Sequence, residues 1–89
     1  MRRRHRRTLA AIFKRPTQAG VRWADIESLL QACGADIEER AGSRVAVELN
    51  DVIAVFHRPH PRPQADKGAV ASVRRFLVTA GIDLEADGP

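Results

Sequence analysis

The chain has 89 residues, one cysteine, and a net charge of +4 from 15 lysines and arginines against 11 aspartates and glutamates. This length fits one domain with a small core, and a single cysteine excludes an internal disulfide and any cysteine-rich zinc site. No run approaches the roughly 18 apolar residues that a membrane span needs, and no secretory leader is recognisable, so we expect a cytoplasmic protein that does not enter membranes.

The positive charge is concentrated at the amino end. Residues 1–15 hold seven of the fifteen basic residues and none of the eleven acidic ones, so the remainder carries eight bases against eleven acids, a net −3. Such a patch attracts phosphate groups or an acidic partner, although a solvated tail that only aids solubility has the same composition. We predict an accessory nucleic-acid-binding patch made of Arg2, Arg3, Arg4, Arg6 and Arg7.

Two helices are predicted in the first half of the chain. Apolar residues at helical spacing, Leu9 and Ile12 among them, indicate a short basic N-terminal helix within residues 1–16, which Pro16 ends. A stronger helical repeat follows, and Gly34 closes it in the position of a left-handed C-terminal cap. This second helix buries Trp23, Ile26, Leu29, Leu30 and Cys33.

A three-stranded antiparallel meander is predicted next. The segment "ADIEER" is a weak strand signal, whereas residues 44–49 alternate apolar and polar side chains as a half-buried strand does. Asn50 and Asp51 form a two-residue hairpin turn, and the β-prone run "VIAVFH" gives the third strand. The prolines that follow lack a backbone donor, so they predict a stiff loop without further ladder bonds.

The last helix is predicted to begin near Asp66, to carry Arg74 and Arg75 at its side, and to end at a Gly81 cap. Residues 83–89 are expected to be a mobile tail. The element order over residues 22–82, with the basic helix added before it, predicts an α+β two-layer sandwich. Its helices cover one face of the sheet and leave the other face open.

The hairpin register predicts which side chains share the open face. A two-residue turn places Arg44 opposite His57, and the period of two puts both on the open side. His60 and Arg62 follow on the proline loop. An arginine offers forked donors to phosphate and a histidine transfers protons near neutral pH, so this corner holds the groups needed for RNA cleavage.

Plainer interpretations of these residues are also open. His57 could simply complete a strand, His60 could be a surface loop residue, and Arg44 could pair with Glu38 or Glu39 at the edge of the sheet.

Several segments together resemble the HicA family of bacterial toxin–antitoxin toxins. They are Trp23–Gly34, the Gly42-Ser43 turn, the hairpin, His60, and the final stretch "KGAVASVRRFLVTAGI". The resemblance covers roughly residues 22–82 and leaves the basic helix outside. It implies a double-stranded-RNA-binding-domain-like α-β-β-β-α fold, mRNA interferase activity, and neutralisation by a HicB antitoxin.

The sequence departs from this family at one important position. The family pattern is Gly-Ser-His with a catalytic histidine, and here Arg44 follows Gly-Ser; an arginine stays protonated and cannot act as a general base. His60 matches the later family histidine, eight residues before Gly68. The catalytic candidates are therefore His57 and His60, and the RNA- or phosphate-binding candidates are Ser43, Arg44, Arg58, Arg62 and Lys67.

Three functions stay open at this point. They are a ribonuclease toxin, a non-enzymatic RNA-binding module, and a protein-interaction domain that exposes Ile53 and Val55 on its open face. The expected partners are RNA, specifically mRNA, a HicB-like antitoxin, and a second copy of the chain. The sequence contains no P-loop, no dinucleotide-binding turn, and no metal-ligand spacing beyond the pair His57 and His60. That pair lacks nearby carboxylates on a rigid element, so no cofactor and no metal are expected.

Overall fold

A computed structural model describes residues 1–84, which form three helices and five strands. In chain order these elements are α1 (Arg3–Phe13), β1 (Val21–Arg22), α2 (Trp23–Ala32), β2 (Asp36–Glu39), β3 (Arg44–Leu49), β4 (Val52–His57), β5 (Gln64–Ala65) and α3 (Lys67–Thr79). Strands β2, β3 and β4 form an antiparallel sheet in that order, and β1 pairs antiparallel with β5. The predicted α+β fold is confirmed.

The predicted mobile tail, residues 83–89, lies for the most part outside the described residues. Within residues 1–84, no helix combines the length and the apolar character that crossing a membrane requires.

The β3–β4 hairpin has the predicted register. Asn50 and Asp51 both have positive φ, 51° and 67°, as a two-residue turn between twisted strands requires. Arg44 is consequently the direct partner of His57. Alternation then sends one face of the hairpin into the core, where Val45, Val47, Leu49 and Phe56 are buried.

Both predicted glycine caps are present. At the end of α2, the N–H of Gly34 donates to the carbonyl of Gln31 and the N–H of Ala35 to that of Leu30. Gly81 and Ile82 make the equivalent pair of bonds at the end of α3. These Schellman motifs satisfy the last carbonyls of each helix, and the positive φ of the glycine, +98° at Gly34, makes them possible.

The proline loop forms more backbone hydrogen bonds than predicted. Its last two residues make β5, and the N–H of Trp23 donates to the carbonyl of Pro63 at 2.9 Å. The prediction that no ladder bonds follow Pro59 is therefore wrong. A proline loses only its donor, and Gln64 and Ala65 keep both backbone groups.

Helix α1 belongs to the core and is held there by an arginine of α3. Leu9 and Ile12 are fully buried, and Arg74, predicted to lie at the side of its helix, is only 7% exposed. Its guanidinium donates to the carbonyls of Ile12 at 3.1 Å and Lys14 at 3.4 Å, and to the hydroxyl of Thr17 at 2.6 Å. The two carbonyls lie at the C-terminal end of α1, where the helix dipole also favours a cation, and Thr17 lies in the connection that follows.

A buried histidine joins α1 to α2. Nε2 of His5 lies 3.0 Å from the hydroxyl oxygen of Ser28. Burial is the main cause that lowers the pKa of His5; the charges of Arg4, Arg2 and the N-terminal amine act in the same direction, and that of Asp25 opposes them.

We expect Arg74→Gln to lower the free energy of unfolding by about 2–4 kcal/mol, because it leaves buried acceptors without their charged donor. The measurement is urea denaturation at unchanged slope. Arg75→Gln removes the same charge from the exposed neighbouring position and should stay within about 0.5 kcal/mol. Equal decreases in the free energy of unfolding of the two variants would show that Arg74 does not hold α1 in place.

We also expect stability to fall as the pH drops below about 6.5, the ordinary pKa of histidine. There the unfolded chain binds a proton at His5 that the folded chain resists, so acid favours unfolding. The midpoint of thermal unfolding, compared between neutral and mildly acidic pH, should decrease less in His5→Gln than in the unchanged protein. His57→Gln, at an exposed position, serves as control and should retain the full decrease. An identical decrease in His5→Gln would rule out this source of acid sensitivity.

Candidate functional site

Arg44 and His57 lie at one corner of the open sheet face. They are partners in the β3–β4 ladder, and the neighbouring bond from the N–H of Arg58 to the carbonyl of Ser43 makes theirs a non-hydrogen-bonded pair. In such pairs the Cα atoms are only about 4.5 Å apart and the side chains are close. Both side chains are exposed. The predicted cross-strand placement of the two residues is therefore confirmed.

The guanidinium of Arg44 is only partly engaged. Its Nε donates to the carbonyl of Ala41 at 3.0 Å, while the carboxylates of Glu38 and Glu39 pair with other arginines. The plain interpretation of Arg44 as a partner of those carboxylates does not hold. Its two terminal nitrogens make no hydrogen bond within the described part of the chain, so they are available to an anion.

A cleft of about 1000 Å³ adjoins this corner, between β4, the proline loop and α3. Its floor is aromatic, since Phe56 contacts Trp23 and Phe76 with ring centroids 6.0 and 5.6 Å apart. The polar side chains that line it include His57, His60, Arg62 and Arg75. The cleft thus brings both candidate histidines together with Arg62. It also adds Arg75 of α3, and the signal for its placement is its spacing of three from Ser72 and four from Thr79, which also line the cleft.

Two other predicted site residues lie outside this cleft. Ser43 is exposed beside Arg44 in the turn before β3, and Lys67 is the exposed first residue of α3. Next to Lys67, the carboxylate of Asp66 caps α3 by accepting the N–H of Ala69 at 2.8 Å.

Arg58 is bound within the fold. Its Nε and Nη2 donate to the two oxygens of Glu27 at 2.8 and 3.2 Å, and its Nη1 donates to Glu39 at 2.8 Å. The indole N–H of Trp23 donates to the same carboxylate of Glu27. The hydrogen bonds with Glu27, and then with Glu39, raise the pKa of Arg58 above its already high ordinary value.

The predicted phosphate contact of Arg58 is therefore corrected to a positioning role. Its three nitrogens are committed to carboxylates, and they tie the start of the proline loop to α2 and β2. Glu27 was not among the predicted site residues. Its spacing of four from Trp23, on one face of a helix, is the signal that relates the two side chains.

The described residues offer no ready metal site. Nowhere in residues 1–84 do three His, Cys, Asp or Glu side chains gather closely enough to hold a metal ion. Cys33 is half-buried, and its burial raises the pKa of the thiol, which keeps it in its less reactive protonated form.

We expect Glu27→Ala to lower the urea midpoint more than Glu39→Ala does. Glu27 is 19% exposed and bonds both Arg58 and Trp23, whereas Glu39 is 74% exposed and its pair is screened by water. The fluorescence of Trp23, the only tryptophan of the chain, should change only in Glu27→Ala. Equal effects on midpoint and fluorescence would contradict the anchoring role of Glu27.

Comparison with known proteins agrees with this geometry. A family model described as "HicA toxin of bacterial toxin-antitoxin" matches residues 23–82. Searches of curated proteins and of solved structures return no match. The matched segment runs from the start of α2 to the cap of α3, so it contains the sheet, the corner and the cleft, and leaves α1 outside. Since the match spans well over half of the chain, the protein belongs to the HicA family of bacterial toxin–antitoxin toxins.

Proposed function

We propose that this protein is an endoribonuclease toxin that cleaves mRNA by general acid–base chemistry without a metal. The observation that carries the proposal is the pairing of Arg44 with His57 at an exposed corner, next to a cleft that also holds His60. A cation that binds phosphate and two groups that can transfer protons are the minimum set for cleaving an RNA backbone.

His57 is the proposed general base and His60 the proposed general acid. The neutral imidazole of His57 takes the proton of a ribose 2′-hydroxyl, and that oxygen attacks the adjacent phosphorus. The bond from phosphorus to the 5′-oxygen of the next nucleotide breaks, and this oxygen receives a proton from protonated His60. The products carry a 2′,3′-cyclic phosphate and a free 5′-hydroxyl, so the step consumes no water and no cofactor.

Arginines balance the charge that develops in this reaction. The terminal nitrogens of Arg44 would bind the phosphate under attack. Arg62, at the cleft, would bind the same phosphate or the adjacent one. Ser43 and Lys67 would contact the flanking backbone. The exposed arginines of α1, Arg2, Arg3, Arg4, Arg6 and Arg7, would attract RNA as an accessory patch.

A second candidate is a non-catalytic module of the same family that binds RNA or an antitoxin. Two observations favour it. The resemblance implies a catalytic histidine at the position where this chain has Arg44, and the outer edge of β4 has no partner strand among residues 1–84. Ile53 and Val55 on that strand are 67% and 53% exposed, which suits a HicB-like partner or a second copy.

We expect His57→Ala to slow RNA cleavage by roughly 10²–10⁴-fold, the usual contribution of a general base. RNA affinity should change little, whereas Arg44→Gln should weaken both affinity and rate. The assay follows fragments of a labelled RNA in excess chelator and identifies their end groups. His5→Gln is the control, because it removes an imidazole that lies away from the corner.

The outcomes separate the two candidates. Cleavage that continues in excess chelator and is lost in His57→Ala supports the toxin chemistry. RNA that is bound but stays whole favours the non-catalytic module. A His57→Ala variant as fast as the unchanged protein would remove His57 from the mechanism.

A further inference from the structure

A second cleft lies between α1 and β1, away from the corner already described. Its volume is about 390 Å³, and three basic residues line it: Arg7 from α1, Lys14 at the C-cap of α1, and Arg22 from β1. Asp25, in the first turn of α2, contributes an acidic side chain to the lining. All four residues are exposed, so the lining carries an excess of two positive charges towards solvent.

The basic side chains of this cleft have a rigid support. On α1, His5, Leu9 and Ile12 are buried, and the seven-residue spacing of Arg7 and Lys14 places these two on the opposite face. Because the buried face is packed and its end is bound by a buried arginine of α3, the basic face is held in one orientation. A ligand that binds there does not bear the cost of ordering a free tail.

The charge of the open sheet face limits where RNA can run from the corner. Asp36 is the cross-strand partner of Glu48, and Glu38 lies one row further along β2. These three carboxylates are exposed and alternate with residues that face the helices, so they lie on the open face. Glu38 pairs with Arg40 at 3.3 Å, so it is chiefly Asp36 and Glu48 that repel phosphates bound at Arg44 from the sheet surface leading towards the hairpin turn.

The opposite direction is basic and leads to the second cleft. The proline loop carries His60 and Arg62 and ends in Gln64, which is the direct partner of Arg22 in the β1–β5 pair. Gln64 lines the first cleft and Arg22 lines the second. One residue pair of a short ribbon thus connects the two clefts.

We infer that the cleft between α1 and β1 is a second RNA-binding site, which holds backbone phosphates and lengthens the RNA footprint beyond the corner. The inference rests on the proposed RNA binding, and it joins Arg7 of the accessory patch with Lys14 and Arg22 in one defined cleft whose basic residues all lie outside the family match. Its ligand is the sugar–phosphate backbone rather than the bases, since phosphate contacts by arginine and lysine carry no sequence information. An anionic membrane fits less well, because the apolar face of α1 is buried and cannot insert.

The test measures fluorescence anisotropy of labelled single-stranded RNAs of about 4 and about 16 nucleotides, with His57→Ala as a background that cannot cleave. Adding Arg7→Gln and Arg22→Gln removes one cation from each wall of the cleft. Affinity for the long RNA should fall about tenfold or more, and the slope of log affinity against log salt should lessen by about 1.4, or 0.7 for each lost phosphate contact. Affinity for the short RNA should be unchanged.

The matched control combines Arg15→Gln with Gln31→Glu, which lowers the net charge by the same amount at exposed residues that line neither cleft. It should change the affinity for either RNA by no more than about twofold, and circular dichroism should show that both double variants are folded. Equal losses of RNA affinity in the two double variants, or equal losses of affinity for short and long RNA, would rule out the second site and leave the proposed site at the corner unaffected. If the background protein binds neither RNA, the proposed RNA-binding function fails, and this inference fails with it.

Discussion

The two-residue turn at Asn50 and Asp51 is the constraint on which the candidate site depends. Its positive φ angles fix the register in which Arg44 faces His57. A slip of one residue would turn Phe56 out of the aromatic cluster and bring charged side chains towards the helices, and exposing a phenylalanine alone costs about 1.5–3 kcal/mol. The turn and the aromatic core therefore fix the same register, and this register holds Arg44 and His57 opposite each other at the corner.

The arginines of this chain divide into two groups that the sequence does not distinguish. Arg58 and Arg74 are turned into the fold, where carboxylates or helix-terminal carbonyls accept their hydrogen bonds. Arg44 and Arg62 are exposed. What separates the groups is the number of acceptors that the fold brings to each guanidinium, since a forked donor is buried only where acceptors satisfy it.

This division also sets the charge that a ligand meets. Arg58 is neutralised by its carboxylate partners, and the remaining acids of β2 and β3 lie on the open sheet face. Exposed basic side chains lie at the corner of Arg44, along the proline loop and on the outer face of α1. The net charge of +4 is thus the sum of separate acidic and basic surface regions. This separation of charge, rather than the net charge, would guide a polyanion.

Features that depend on local sequence could be predicted, and features that depend on distant partners could not. The glycine caps, the hairpin turn and the alternation of β3 follow from neighbouring residues, and all are present. Arg74 meets its acceptor carbonyl at Ile12 across 62 positions of sequence, so no local pattern indicates its burial. Strands β1 and β5 have two residues each, too few for alternation to be recognised.

The resemblance places the family's catalytic histidine at the position of Arg44, and the proposed mechanism assigns proton transfer to the neighbouring strand at the same corner of the molecule. Arg44 begins β3, and its cross-strand partner His57 ends β4 on the same face, with Cβ atoms about 4.5–5.5 Å apart in pairs of this kind. An imidazole at that distance can reach the 2′-oxygen beside a phosphate that the guanidinium holds. Phosphate binding and proton transfer are then divided between two strands, and the second strand places its histidine at the cleft that also holds His60. A single histidine at the position of Arg44 would have to perform both tasks, whereas here a permanent cation and a titratable base occupy adjacent positions.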